Sequence, residues 1–502
     1  MSQNYSKSSS TFSWLQHALE KRSASGAGMV AVVALGFLGS VQIVPNSAIV
    51  WTIFAIILYE FQKRLDQGVP LLQLSSIIAV LQWLIGPSLN YSSGMTFGRY
   101  SMYVPESLYF QFAIPATSFF VAVMLLVGSS VKQRNLLRVV ERRNFFAIGV
   151  VLNVVAIGAT VAATRAGGGM QFFLHLLSQL RYVGALYFLF SLHPLRLLFV
   201  AGSCFALLSS SLGSGMFHDL ILWLAILFCY WFALRKWVLG IKLVIMTFAA
   251  IGLFSIQVIK QEYRQQLKNG LDPSIVRMMI DYVTPGGKAW ETSTLSLAIT
   301  RLNQGWIISA IMKHVPENEP FAAGETVKEA VLGSIAPRFL WTDKKTAGGR
   351  VSFRRFTGLQ IGEATSMGIS PLGEAYANFG IRGGIGFMVV FGSFFALFYY
   401  GTLRYALKHP TFLFWIPLIF YQAIKAETEI SVVMNQLTKG SVVAFGGFYL
   451  LGQVLPVRLK KSVLAGAAPA QLLSSQTPSL SRVGPSAVSY GLPLNENLSR
   501  DD

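Results

Sequence analysis

Long apolar runs, repeated along almost the whole chain, limit most strongly how this sequence can fold. Of its 502 residues, 53% are hydrophobic and only 13% are charged, which lies far from the average usage of soluble domains. About 20 apolar residues are enough to cross the roughly 30 Å hydrocarbon core of a bilayer. We therefore expect an all-α polytopic membrane protein with about twelve transmembrane helices. The runs are Gly28–Val44, Ser47–Phe61, Pro70–Leu89, Phe110–Val127, Phe145–Ala163, Gln171–Leu192, Leu195–Ser210, Met216–Leu234, Val238–Ile259, Gly383–Leu403, Thr411–Ile424 and Ser441–Val457.

The spacing of these runs predicts one large polar loop between two membrane bundles. Short loops rich in Lys and Arg face the cytoplasm, and the segment 128–144 is basic whereas 90–109 carries a single Arg99 beside Glu106. Both termini are then cytoplasmic and the long loop is extracytoplasmic, which in a bacterial inner membrane means periplasmic. Its aromatic residues and its Gly and Pro punctuation predict a folded cap of short helices. The predicted divisions are an N-terminal tail 1–27, about nine spans in 28–259, the loop 260–371, about three spans in 372–457 and a disordered tail 458–502.

Charge and cysteine content exclude several classes of function. The formal net charge is +19, but the basic residues are divided among many loops instead of forming one soluble basic domain, so we expect no nucleic-acid partner. Cys204 and Cys229 both lie inside apolar runs and are interpreted as packing residues. The long loop contains no DxD or paired-carboxylate metal motif, so the sequence predicts neither a metal nor a cofactor.

The densest cluster of positive charge lies late in the long loop. Between Ile335 and Arg355 there are six basic residues and one acid, a net charge of 6 − 1 = +5. Arginine binds phosphate oxygens with two parallel hydrogen bonds, which lysine cannot reproduce. The cluster therefore favours a phosphate ligand, and attraction to anionic lipid headgroups is the alternative.

Polar residues within two of the apolar runs raise a separate question. His175, Gln179 and Tyr182 share one helical face beside Arg181, and a charge at membrane depth is costly unless it is paired or hydrated. The segment is either an amphipathic helix on the outer surface or a polar stripe lining a substrate cavity. The dipeptide His218–Asp219 is similarly either a helix N-terminal cap or a catalytic pair.

Three segments carry a family signature. They read Arg301-Leu-Asn-Gln-Gly, Pro337-Arg338-Phe-Leu-Trp341-Thr-Asp343-Lys344 and Gly373-Glu374-Ala-Tyr376-Ala-Asn378-Phe379-Gly380. They resemble motifs of the O-antigen and oligosaccharide repeat-unit polymerases of the Wzy type, which also have many spans and a large basic outer loop. Thr342 and Lys345 depart from the family pattern, in which prolines are common at both positions.

The resemblance implies a GT-C-like fold and a metal-independent, inverting glycosyltransferase that makes O-antigen, capsule or exopolysaccharide. Such an enzyme transfers a growing glycan from one undecaprenyl diphosphate to a new lipid-linked repeat unit. Its implied partners are that lipid-linked oligosaccharide, the lipid bilayer, and a flippase and a chain-length regulator of the same pathway. An O-antigen ligase is the first alternative, because it shares the architecture. A lipid-linked oligosaccharide flippase or other transporter is the second.

The chemistry implied by the resemblance selects the candidate residues. Arg and Lys can stabilise the charge that develops on a diphosphate leaving group, and a carboxylate or imidazole can accept the proton of the attacking hydroxyl. Asp343, Glu363, Glu374 and His314 are candidate bases, although Glu374 is equally interpreted as a helix N-terminal acid. The candidate catalytic residues are Arg338, Asp343, Arg354 and Glu374. The candidate substrate-binding residues are Arg165, Arg301, Lys344, Arg350, Arg355, Tyr376 and Asn378.

Overall fold

The structure of the protein is a computed structural model. It describes residues 24–457, except 66–67, 96, 128–139, 215–217, 235–237, 336–348, 364 and much of 239–291. The tail 458–502 and most of the N-terminal tail lie outside the described residues, as does most of the predicted span Val238–Ile259. The described residues form helices and no strand, which confirms the all-α prediction.

Seventeen α-helices are numbered here in chain order over the described residues, with one π-helical segment, Leu81–Ile85, between α3 and α4. They are α1 Ala24–Val41, α2 Asn46–Leu65, α3 Leu71–Val80, α4 Gly86–Ser92, α5 Glu106–Val127, α6 Phe145–Ala163, α7 Gly168–Ser178, α8 Leu180–Phe190, α9 Arg196–Ser214, α10 His218–Leu234, α11 Thr292–Leu302, α12 Gly305–His314, α13 Glu325–Ile335, α14 Arg350–Thr357, α15 Ser370–Lys408, α16 Ile416–Phe420 and α17 Ile430–Val454.

Several of these helices have the length and composition of membrane spans. Among the described residues, five are long and apolar enough to cross a membrane, and four shorter apolar helices accompany them. The chain therefore has the helices of a membrane protein, whereas the count of twelve spans, the GT-C-like arrangement and the orientation of the termini stay predictions. The five are Leu71–Ser92, Glu106–Val127, Phe145–Ala163, Met170–Phe190 and Ser370–Lys408.

The predicted span Thr411–Ile424 differs from the structure. It consists of a 3₁₀ turn, Pro410–Phe414, followed by the five-residue helix α16. The apolar stretch Pro410–Phe420 would rise only about 17 Å at 1.5 Å per residue, which is too short for a crossing. Its residues are all buried, so its apolar character reflects packing inside the bundle.

The last predicted span begins earlier than expected. The polar stretch between the apolar runs Thr411–Ile424 and Ser441–Val457 predicts an outer loop over Lys425–Gly440, but α17 starts at Ile430. Polar residues in the first turns of this helix interrupt the apolar pattern in the sequence. In the structure these side chains form hydrogen bonds within the protein. Gln436 Nε2 donates to the Leu418 carbonyl at 2.6 Å, and Lys439 Nζ donates to Asn435 Oδ1 at 2.8 Å.

Close helix packing organises the centre of the bundle. Helix α5 packs against both α1 and α15, and glycines lie at the contacts. A Cβ atom at Gly36 would lie 2.8 Å from Ser118 Cβ, and one at Gly384 would lie 2.9 Å from the Phe112 ring. Small residues allow backbones to approach where no hydrophobic effect drives helices together in lipid.

The predicted loop 260–371 contains the four short helices α11, α12, α13 and α14 within its described part. Helix α12 packs against α14 and α15, and α13 packs against α17. The side of the membrane on which these helices lie stays a prediction.

Candidate functional site

A backbone break at Gly380 attaches the loop helices to α15. Gly380 has φ 64° and ψ −162°, a conformation that is essentially restricted to glycine. The carbonyls of Ala377 and Asn378 lie in the turn before the break, and they accept hydrogen bonds from the N–H groups of Ala322 and Ala323 at 3.0 and 3.1 Å. The motif segment 373–380 therefore holds the chain that leads into α13.

A second backbone irregularity positions the motif segment 301–305. The π-helical segment Leu81–Ile85 departs from regular α-helical hydrogen bonding. The carbonyl of Gln82, in this segment, accepts a hydrogen bond from the N–H of Gln304 at 3.0 Å. The Gln304 side chain then donates from Nε2 to Glu427 Oε2 at 3.4 Å. This motif therefore lies next to the segment that precedes α17.

Glu374 lies at the start of α17. Its side chain is 3% exposed, and Oε2 accepts a hydrogen bond from the N–H of Ile430 at 3.0 Å. The first N–H groups of a helix have no partner within the helix, and a nearby carboxylate is favourable there. The sequence left open whether Glu374 is a base or a helix N-terminal acid. The structure shows that it satisfies an N-terminal amide of α17, a different helix from its own.

Glu429 is the second carboxyl group at this place. It is 5% exposed. Burial, followed by the negative charge of Glu374, raises the pKa of Glu429 to about 8. Hydrogen bonds from the Ile369 N–H and from the hydroxyl groups of Ser352 and Ser431 act in the opposite direction. Oε1 is buried without a hydrogen-bond partner within the described part of the chain.

Helix α14 contacts this pair of carboxyl groups through Ser352. Ser352, which contacts Glu429, lies between Arg350 and Arg354. Arg354 Nη2 donates to the Ile361 carbonyl at 2.7 Å. Arg350 pairs at 3.5 Å with Glu363, whose side chain is 95% exposed, and such an exposed pair contributes little energy. The Nε atoms of both arginines are buried, and the described residues offer them no acceptor.

Arg355, the third arginine of α14, has a different environment. Its Nε donates to Glu319 Oε1 at 2.6 Å, and its Nη2 donates to Glu325 Oε2 at 3.1 Å. These bonds raise the pKa of Arg355. Its charge is matched by two carboxylates of the neighbouring loop and of α13. Arg355 therefore anchors α14, and the structure leaves it less free than Arg350 or Arg354 to bind a substrate anion.

Tyr376 and Asn378 also have internal partners. Asn378 Oδ1 accepts from the Gly324 N–H at 3.0 Å, while its Nδ2 donates to Thr326 Oγ1 at 2.7 Å and to the Glu374 carbonyl at 2.8 Å. Tyr376 is 7% exposed, and its ring packs on those of Phe112 and Phe321. Both residues position the backbone around the carboxyl pair.

The remaining candidates are not brought into this arrangement by the described contacts. Arg165 is exposed in the turn after α6, and Arg301 is exposed in the last turn of α11. Arg338, Asp343 and Lys344 lie outside the described residues. Of the eleven sequence-predicted site residues, Glu374, Asn378, Tyr376 and the three arginines of α14 are thus the ones whose surroundings connect them to one another.

Sequence reasoning missed Glu429, Ser352 and Gln304 as site residues. Glu429 appeared in the sequence only as one charge in a supposed outer loop. The signal that could have identified it is its place immediately before the apolar start of α17, where an acid is favourable. Ser352 carries no sequence signal beyond its place between two arginines.

The arrangement offers a proton-transfer group, Glu429, beside a helix, α14, that carries three arginines. No group of three His, Cys, Asp or Glu side chains suitable for a metal ion is found where the structure is described. A carboxyl group with a pKa near neutrality can accept or give up a proton at physiological pH. Two guanidinium groups one helical turn apart, at i and i+4, can bind an anion on one face of α14.

Comparison with known proteins gives a family for most of the region described above. Neither a curated protein nor a solved structure matches the chain. Residues 102–410 match a family described as Domain of unknown function (DUF8712). The match contains α14 and Glu374, and it ends before Glu429. Because it covers more than half of the chain, the protein belongs to the DUF8712 family.

Proposed function

We propose that this protein is an inverting membrane glycosyltransferase that polymerises undecaprenyl-diphosphate-linked oligosaccharide repeat units for O-antigen, capsule or exopolysaccharide. The proposal includes its place in a bacterial inner membrane, with both termini cytoplasmic and the loop 260–371 in the periplasm. One observation supports it most strongly. The short helix α14 carries two guanidinium groups with unused donors, and its Ser352 contacts a buried carboxyl group whose pKa is raised to about 8.

The reaction uses these groups in two roles. The hydroxyl group of the acceptor sugar gives its proton to the Glu429 carboxylate, and its oxygen attacks the anomeric carbon of the donor glycan. The bond between that carbon and the diphosphate oxygen breaks, and the leaving diphosphate keeps the electron pair. Arg350 and Arg354 stabilise the charge that develops on it. Attack from the face opposite the diphosphate inverts the anomeric configuration.

The surrounding residues hold this arrangement. Arg355 anchors α14 through two carboxylates, and Asn378 connects α15 with the loop before α13. Burial, followed by the charge of Glu374, keeps the pKa of Glu429 high. Arg338, Asp343 and Lys344 remain part of the proposal on the resemblance alone.

Replacement of Glu429 tests the proposal most directly. In a host whose glycan depends on this gene, the deletion strain is complemented with Glu429→Gln, and glycan chain length is resolved by electrophoresis. The variant should insert normally but leave single repeat units without extension. Glu317→Gln, which replaces an exposed acid of the loop 260–371, is the control and should give the wild-type ladder.

The same assay separates the competing functions. A glycan ladder of normal length and amount from Glu429→Gln would contradict the proposed role of this carboxyl group. Complete loss of attached glycan in the deletion strain, without attached single units, would indicate a ligase. With membranes in vitro, wild-type activity should rise from pH 6 to above 8 as Glu429 ionises, and a flat profile contradicts a base with this pKa.

A further inference from the structure

Polar side chains from three separate parts of the chain meet between α7, α8 and α10. Lys425 Nζ pairs with Asp219 Oδ1 at 3.1 Å. Arg181, Asp219 and Lys425 all lie close enough to His175 to act on it electrostatically. Asp219, which the sequence placed either in a cap or in a catalytic pair, thus has a cation as its partner. We call these residues, together with Tyr182, Trp223 and Tyr421, the bundle cluster.

Arg181 brings a charge into the cluster that its neighbours do not neutralise. Among the described residues it forms no ion pair, and its Nε is buried without a hydrogen bond. Its guanidinium lies 5.0 Å from the centre of the Tyr182 ring. It belongs to the candidate span Met170–Phe190, where an uncompensated charge costs several kcal/mol. Because Asp219 already pairs with Lys425, the three charges sum to +1.

A stack of aromatic rings adds a second hydrogen-bond donor to the bundle cluster. Trp223 lies between Tyr182, at 4.3 Å between ring centres, and Tyr421, at 5.2 Å. The indole is completely buried, yet its Nε1 has no acceptor in the described part of the structure. A buried tryptophan N–H normally finds a partner. Its unused donor therefore lies beside the phenol ring that Arg181 contacts.

The cluster is also open to its surroundings. The Asp219 side chain is 47% exposed, and His175 is exposed at the end of α7. The His175 ring and the Gln179 amide contact each other at 3.1 Å at the break between α7 and α8. A ligand can therefore reach the cluster without unfolding the bundle.

We propose that the bundle cluster binds an anionic phosphate group, carried by a lipid headgroup or free in solution. Arg181 Nε and Trp223 Nε1 donate hydrogen bonds to the phosphate oxygens, and the net positive charge of the cluster is neutralised on binding. Arginine is suited to phosphate because its planar fork matches the oxygen geometry. This site is distinct from α14, and it does not depend on the proposed glycosyltransferase activity.

The test measures thermal unfolding of the purified full-length protein in detergent by tryptophan fluorescence. Inorganic phosphate is one probe, with sodium chloride at equal ionic strength as its control. Phosphatidic acid is the other, with phosphatidylcholine as its control. A ligand that binds only the folded state raises the unfolding midpoint. We expect at least one probe to raise it. A response to inorganic phosphate shows that the free anion suffices, and a response to phosphatidic acid alone identifies a lipid-borne phosphate.

A variant and its control test whether the stabilisation by phosphate arises at the bundle cluster. Arg181→Gln should weaken the apparent affinity for the effective probe about 10-fold or more, as expected for loss of a charged hydrogen bond. Arg404→Gln is the control, since Arg404 is exposed and lies 5.6 Å from the centre of the Tyr400 ring, and it should respond like the wild type. Without a probe, Arg181→Gln should unfold at the wild-type temperature or above, because it removes an unneutralised charge.

Trp223→Phe keeps the ring stack and removes the indole donor, so it tests the proposal even if Arg181→Gln fails to fold. It should also weaken the response to the effective probe. The proposal is overturned if neither probe stabilises the wild type. It is equally overturned if Arg181→Gln or Trp223→Phe keeps the full response.

Discussion

Burial of Glu429 should make the stability of the protein depend on pH over a defined range. In the folded protein this carboxyl group keeps its proton up to about pH 8, whereas its ordinary pKa is 4.5. Below pH 4.5 the group is protonated in both states and carries no penalty. As pH rises from 4.5 to 8, the unfolded chain releases the proton and the folded protein holds it, so the unfolding free energy falls.

The size of the effect follows from the two pKa values. Each pH unit within this range lowers the unfolding free energy by about 1.4 kcal/mol, so the whole range accounts for up to about 5 kcal/mol. Above pH 8 both states are ionised and the loss stays constant. Glu429→Gln has nearly the same shape and no titration, so this contribution disappears from the variant. Relative to wild type, the variant should therefore gain stability as pH rises.

The assay is thermal unfolding in detergent, followed by tryptophan fluorescence at pH 5, 6, 7, 8 and 8.5 for wild type and Glu429→Gln. The difference between their midpoints should shift in favour of the variant by several degrees from the lowest to the highest pH. Glu317→Gln, with an exposed side chain, should run parallel to wild type. Parallel curves for Glu429→Gln and wild type would refute the raised pKa and the burial argument behind it.

Three further predictions concern the backbone break, the anchor of α14 and the topology. Gly380→Ala should lower the unfolding free energy by about 1–3 kcal/mol in a denaturant titration, because the backbone conformation of Gly380 disfavours any side chain. The control is Gly386→Ala at an exposed helical position, which should be neutral or slightly stabilising. Equal effects of the two substitutions would contradict the backbone break at Gly380. Arg355→Gln should cost about 1 kcal/mol, given the partial exposure of its ion pairs, and should speed proteolysis near α14. Gly348→Cys should react with an impermeant thiol reagent in intact cells and Ser475→Cys should not; the reverse pattern refutes the predicted sidedness.

The apolar runs predicted the positions of the long helices well, because a bilayer span depends mainly on local composition. The run Phe145–Ala163 coincides with α6, and Phe110–Val127 lies within α5. The two places where the prediction differed have a common cause. Thr411–Ile424 is apolar because protein surrounds it, and the first half of α17 is polar because neighbouring carbonyls satisfy it. In both, tertiary contacts determine the residue type.

The candidate site was harder to predict, because its chemistry depends on burial. Glu374 stood within a recognisable motif, and its contact with α17 requires a segment 56 residues later in the chain. Nothing local distinguishes Glu429 from Glu427, yet Glu429 is buried and Glu427 is half-buried, and burial raises the pKa of Glu429 to about 8. Arg355 looked identical to Arg354 in sequence, and its two carboxylate partners come from a different helix and loop.

The segment from Tyr421 to Ile430 connects the two polar arrangements of this protein, because it carries Lys425 at one of them and Glu429 at the other. Before Ile430 it lacks regular helix, so its backbone must be held by other parts of the chain. Trp83 Nε1 donates to the Ala426 carbonyl at 3.2 Å, and Glu374 accepts from the N–H of Ile430. A sequence selected for stability alone would place apolar residues in so buried a segment, since buried charges rarely add net stability. The segment nevertheless retains acids and a lysine, each bonded to residues far away in the sequence. Such departures from local sequence preference are expected at functional sites.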